Sequence, residues 1–218
     1  MTTMIFVRHG QSTANVEQKF TGHLNALLTP LGEKQAQNVA EFLERYPIER
    51  IYASDLTRAM QTAAPTAAKF SLPVLSDPLL REIHAGKWEG KSYQQLREEY
   101  GPSYALWTGD VGNAHPEGGE SVRELAERIY RETDRIATEN DGKTVALFTH
   151  AMPIRTLRAR WFGVPVERLS SVEHVRNASV SVVEYEPQKD GTYRYHVLLC
   201  GYDAFHGGET SGFAAGVI

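Results

Sequence analysis

His9 ends the apolar run Met4-Ile5-Phe6-Val7, and His150 ends the run Thr144-Val145-Ala146-Leu147-Phe148-Thr149, each just before a new element begins. Arg8 directly precedes His9, and Arg58 lies in SDLTRAMQTA, after another strand-like run. Taken singly, a histidine is more often packed or solvated than catalytic, and an arginine more often sits in a surface ion pair. Together, two guanidiniums and two imidazoles could converge on one point, and clustered arginines need an anion between them. The planar guanidinium fork suits phosphate oxygens. Residue type and position alone leave both readings open.

Positioning these side chains falls to strands. Met4 to Val7 is short, apolar and partly β-branched, and it stops at Arg8-His9-Gly10, as expected of a buried strand whose end delivers side chains to a surface. Thr29-Pro30 offers an N-cap with Pro at the first helical position, and Ala36, Val39, Ala40 and Leu43 then recur at helical spacing. Arg50 to Ser54 reads as a second strand. It is followed by an alanine-rich helix from Thr57 to Phe70, which Pro65 is expected to kink or end. Val74-Leu75 is a third, very short strand. Ser92 with Gln95 and Ser121 with Glu124 match the capping box, and the second opens a face of Val122, Leu125, Ala126 and Ile129. Thr144 to Thr149 is the strongest buried-strand signal, with a helix from Met152 to Phe162 after it. Ala178 to Tyr185 and Tyr193 to Leu199 read as strands joined by a turn at Asp190-Gly191. This alternation predicts an α/β fold, a mainly parallel sheet covered by helices on both faces, with ligands outside the carboxyl ends of the strands. Arg8, His9 and His150 occupy such positions.

At 218 residues one domain is expected, spanning 1–200. The tail 201–218, rich in Gly and small residues, is expected to dock on its own domain or on a neighbouring chain. Hydrophobic residues make up 41% and charged residues 23%, ordinary globular usage that excludes a disordered or fibrous chain. A net charge of -4 offers no global field for nucleic acid or anionic lipid, so neither is expected as a partner. Cys200 is the single cysteine, which rules out an internal disulfide or a Cys zinc cluster and fits the cytoplasm. No signal peptide or membrane span is visible.

VRHGQSTAN at 7–15, SDLTRAMQTA at 54–63, REIHAGKWEG at 81–90, PEGGES at 116–121 and FTHAMPIR at 148–155 resemble, in order and spacing, the histidine phosphatase superfamily of phosphoglycerate mutase-like proteins. The resemblance runs to the final hairpin. It implies a three-layer α/β/α fold, a phosphohistidine intermediate and no cofactor or metal. It further implies His9 as nucleophile, Arg8, Arg58 and His150 as the pocket for the phosphoryl oxygens, and Glu82 as proton donor. These roles make chemical sense: a neutral imidazole is a competent nucleophile, fixed positive charge stabilises the transferring group, and a carboxylic acid can protonate the leaving alkoxide. Asn15 and Thr21 match positions that help hold phosphate, and Gly22, Gln11 and Ala151 belong to the same candidate set. Gln11 stands where many mutases carry Glu, and Ala151-Met152 where Gly-Gly is common.

The segment from Gly90 to Pro116 is short and carries a single arginine, Arg97, whereas dedicated mutases of this family usually have a longer basic insert there. Hydrolysis of a small phosphorylated metabolite is therefore expected, on the broad-specificity or α-ribazole phosphatase-like branch. A mutase using the same residues and a non-catalytic phospholigand module are the alternatives. A metal site built from His9, His150 and Glu82 is disfavoured because Arg8 and Arg58 would repel the cation. Trp88, Tyr93, Tyr100, Tyr104 and Trp107 form either an apolar wall for a leaving group or the core of a cap region. His84 is pocket lining or surface. Homodimer formation and the natural substrate are left open.

Overall fold

Alternation along β1 (Thr2–Arg8) sends Met4 and Phe6 to one face of the sheet and Ile5 and Val7 to the other, and all four are buried. Apolar on both faces, such a strand has to be covered twice. β4 (Thr144–Thr149) repeats the pattern, with Val145 and Leu147 in one core and Ala146 and Phe148 in the other. The computed structural model describes residues 1–207. In it, α2 (Pro30–Leu43) and α3 (Thr57–Phe70) cover one face through Val39, Leu43 and Ala63. α6 (Val122–Glu139) and α7 (Ala151–Trp161) cover the other through Leu125, Ile129, Ile154 and Leu157. Three layers result.

The sheet also contains β2 (Ile48–Ala53), β3 (Val74–Ser76), β5 (Val180–Pro187) and β6 (Tyr193–Tyr202), in the order β3-β2-β4-β1-β5-β6. The pairs among β3, β2, β4 and β1 are parallel, while β5 is antiparallel to both β1 and β6. The mainly parallel sheet with a late hairpin is thus present. Short helices α1 (Thr13–Val16), α4 (Tyr93–Glu99) and α5 (Gly101–Gly109) complete the described elements together with several 3-10 turns.

The capping signals act as written. Thr29 accepts from Gly32 N–H, and Ser92 and Ser121 both close capping boxes. Pro65 does not break α3, which runs through it to Phe70. The carbonyl it deprives of a donor belongs to Gln61, and both residues are only half-buried, so water can serve that group. The strand expected from Ala178 begins at Val180 instead. Ala178 has φ 55° and spends its N–H on the carbonyls of both Arg8 and His9, 3.1 Å each. Helix α5 was not foreseen, and Pro102 in its first turn separates it from α4.

Residues 201–207 of the expected tail finish β6 and turn back onto α2. Phe205 stacks on Phe42 at 4.5 Å between ring centroids, and buried His206 meets the Ala178 carbonyl at 3.2 Å. Docking of 208–218 lies outside the described residues. Among the described residues no helix is long and apolar enough to cross a membrane.

Candidate active site

Strand register sets the site. β1 and β4 pair in parallel with Val7 opposite Phe148 and Arg8 opposite Thr149, so the next residues, His9 and His150, emerge level at the carboxyl ends of adjacent strands. His9 N–H donates to the Thr149 carbonyl (3.0 Å), and the two imidazole centroids are 5.2 Å apart. β2 flanks β4 on its other side, and Ser54 just beyond it donates its N–H to the Phe148 carbonyl (2.9 Å). The first turn of α3 then carries Arg58 into the same corner.

His9 is buried, with Nδ1 2.7 Å from the Gly10 carbonyl. A carbonyl only accepts, so Nδ1 holds the proton and Nε2 keeps its lone pair. Burial, reinforced by Arg58 and Arg8, pushes the imidazole pKa well below its ordinary value, so the ring is neutral near pH 7. Arg8 donates to the Val175 carbonyl (2.6 Å), and Arg58 to the carbonyls of Leu24 and Gly22 (2.9 Å each). Burial lowers both guanidiniums to about 10, which leaves them charged.

His150 is fully buried, with Nε2 2.8 Å from Ser54 Oγ. That hydroxyl accepts from Leu56 N–H (3.3 Å) and has its own proton to give to Nε2. With Ser54 donating to Nε2, Nδ1 carries the ring proton, and it is buried with no hydrogen-bond partner among the described residues. Burial, with Arg58 next in effect, holds this imidazole well below its ordinary pKa too.

Glu82 is half-buried in the loop after β3. Thr149 Oγ1 ties that loop to the end of β4 through the Leu80 carbonyl (2.6 Å), and Arg128 of α6 binds the carbonyls of Leu79, Arg81 and Glu82. Glu82 Oε1 accepts from Ile83 N–H (2.9 Å), and both carboxylate oxygens face Met152 N–H in the first turn of α7 (3.3 and 3.4 Å). Burial raises its pKa despite these donors and the arginines. Such a carboxyl is set up to exchange a proton.

Arg8, His9, Asn15, Thr21, Gly22, Arg58, Glu82 and Ala151 line one cleft, with His150 directly beside His9. Asn15 Oδ1 accepts from Ser12 and from Asn177, which leaves its amide N–H groups for a ligand. Gly22 has φ 50°, and a Cβ there would lie 2.2 Å from Glu89 Oε1. Gln11 is not brought in: its Oε1 accepts from Thr29 Oγ1 (2.8 Å), so the side chain serves the start of α2. The aromatic set divides. Tyr93, Tyr104 and Trp107 line the cleft, Trp88 is fully buried core, and Tyr100 only packs against that core. His84 is exposed beside His23.

Three contributors had no signal in the sequence. Asn177 Nδ2 donates to the carbonyls of His9 (3.0 Å) and Gly10 (3.3 Å) and to Asn15 Oδ1 (3.2 Å), tying the histidine loop to the neighbouring phosphate-binding candidate. His174 lines the cleft and accepts from Arg155 at 2.6 Å. His23 bonds the Glu82 carbonyl at 2.9 Å. Among the described residues no three His, Cys, Asp or Glu side chains are grouped to hold a metal ion.

A histidine pair and two buried arginines at the carboxyl edge of a parallel sheet define a class of phosphoryl-handling α/β proteins. Residues 4–196 match the histidine phosphatase superfamily (branch 1), and the chain belongs to that family. It is 38% identical to phosphoglycerate mutase-like protein 4 of Arabidopsis thaliana over 184 residues, 82% of this chain and 77% of that protein. It is 30% identical to adenosylcobalamin/alpha-ribazole phosphatase of Escherichia coli over 75% of this chain and 80% of that one. The structure of mycobacterial glucosyl-3-phosphoglycerate phosphatase with VO3 superposes with a TM-score of 0.82 at 28% identity, covering 92% of this chain and 99% of that one.

Proposed function

We propose that the chain hydrolyses small phosphate monoesters through a phosphohistidine on His9. The observation that carries this reading is the fixed tautomer: Gly10 holds the Nδ1 proton, and a neutral Nε2 lone pair faces a cleft lined by Arg8 and Arg58. In the first step Nε2 bonds to phosphorus as the ester P–O bond breaks. Glu82, kept protonated to higher pH than an ordinary carboxyl, gives its proton to the departing alkoxide. Arg8, Arg58, Asn15 and the Nδ1–H of His150 meet the charge spread over the equatorial oxygens. In the second step Glu82 takes a proton from water, the new P–O bond forms, the N–P bond breaks and phosphate leaves. Relatives named as phosphatases support hydrolysis as the outcome.

The test uses 32P-labelled 4-nitrophenyl phosphate. Wild-type enzyme quenched in the steady state should carry an alkali-stable, acid-labile label that His9→Ala lacks, and turnover should survive excess EDTA. Label retained by His9→Ala, or activity restored only by added metal, would overturn the mechanism. With 3-phosphoglycerate as substrate, phosphate release without net isomer formation is expected, and net isomerisation would move the chain to the mutases.

A further inference from the structure

Outside the phosphate pocket the cleft wall is built from Phe20, Ile83, Tyr93, Tyr104, Trp107 and Met152. The rings brace one another edge to face. Trp107 lies 4.9 Å from Phe20 at 69° and 6.0 Å from the fully buried Trp88 at 83°, while Phe20 lies 6.5 Å from Tyr93 at 82°. A wall locked to the core in this way is formed before any ligand arrives, so binding loses little conformational entropy there. The Tyr93 and Tyr104 hydroxyls make no hydrogen bond among the described residues and offer polar handles on an otherwise apolar surface.

Charge is arranged to match. The cations of the cleft are Arg8 and Arg58 at the phosphate pocket and Lys19 at the rim, where it pairs with Glu17 at 2.7 Å. His174 accepts a hydrogen bond from Arg155, an arrangement only the unprotonated ring permits. Arg97 is exposed on α4 and is not part of the lining. A second anionic group on a substrate would therefore lose water against an aromatic wall without gaining a buried partner.

We propose that Phe20, Tyr93, Tyr104 and Trp107 form a leaving-group subsite that selects monoesters of uncharged alcohols with a flat apolar body over small esters bearing a second anion. The proposal rests on the hydrolytic reading above. Naphthylmethyl phosphate is the probe, because its alcohol is about as poor a leaving group as that of 3-phosphoglycerate or phosphoserine, so preference reports contact rather than bond strength. Its kcat/KM should exceed those of both anionic esters by about ten-fold or more, as a set of aromatic contacts can supply. In Trp107→Leu the ratio of naphthylmethyl phosphate to glycerol 3-phosphate should fall by about ten-fold. Because it is a ratio, it is insensitive to a partly unfolded preparation. Equal or reversed preference, or an unchanged ratio in Trp107→Leu, overturns the subsite. Should no ester be hydrolysed, the hydrolytic reading fails, and calorimetry with naphthylmethylphosphonate against methylphosphonate still decides the subsite: tighter binding of the first that is lost in Trp107→Leu supports it, and equal binding rejects it.

Discussion

At the residue scale the site depends on carbonyls as much as on side chains. His9 is a defined tautomer only because Gly10 offers its carbonyl, and that carbonyl is held in turn by Asn177 (3.3 Å). The same amide also fixes Asn15 Oδ1, which decides that Asn15 turns N–H rather than carbonyl toward the cleft. Asn177 is thus a positioning residue whose effect passes through two others. Asn177→Ala is expected to lower kcat/KM by about ten-fold or more, since each lost orienting bond is worth roughly 1 kcal/mol and misplacement adds to it. Combined with Asn15→Ala the losses should be less than additive, because removing either residue already frees the other. Steady-state kinetics on the four members of the cycle check this, and strict additivity would separate the two residues.

The proposed catalytic residues and their supports differ in legibility for a physical reason. Arg8, His9, Arg58, Glu82 and His150 sit in short segments whose order in the chain resembles a known family, and the cleft brings them together. His174 and Asn177 lie three residues apart in the loop before β5, outside the matching segments, and only the packing of that loop against the end of β1 brings them to the site. Gln11 shows the converse, a residue inside a matching segment whose side chain turned to a helix start.

At the scale of elements, the strands buried on both faces were plain as continuous apolar runs, and β4 begins and ends where its sequence indicates. Pro65 does not end α3, because its cost depends on whether one carbonyl sees water, which spacing does not reveal. The contact between the first turn of α2 and the segment after β1 was equally hidden. A Cβ on Gly32 would lie 2.1 Å from the Gln11 carbonyl oxygen, and one on Gly10 2.6 Å from the Gly32 carbonyl oxygen. Two backbones touch there, and one of them carries the carbonyl that orients His9. Gly32→Ala should cost about 1–3 kcal/mol, as overpacking against fixed atoms does, and should lower turnover by displacing Gly10. Gly109→Ala is the control, since nothing lies within 4 Å of its added Cβ, and its change should stay within about 0.5 kcal/mol. Urea unfolding and steady-state assays on both variants decide the point; a Gly32→Ala enzyme as stable and active as wild type would mean that the helix can move away freely.

At the scale of the whole molecule, the fold holds several imidazoles neutral at once, which ties stability to pH. Burial, aided by neighbouring arginines, depresses His9 and His150 well below their ordinary pKa and pushes His174 down to about 3. Unfolded, each would take a proton near pH 6.5. Below that pH the unfolded chain binds protons that the fold refuses, so stability falls as pH drops, and for His174 the fall ends only near its folded value. Each such histidine steepens the decline by up to about 1.4 kcal/mol per pH unit. Glu82 acts in the opposite sense, because its raised pKa lets the fold bind a proton first, and it offsets part of one histidine. His174→Gln isolates one contribution while keeping an acceptor for Arg155. Between pH 6 and pH 4 its unfolding free energy, from urea titrations, should decline less steeply than wild type by about 1.4 kcal/mol per pH unit. Parallel declines would mean that His174 takes up its proton within the folded protein, and Arg155 would then have to release it.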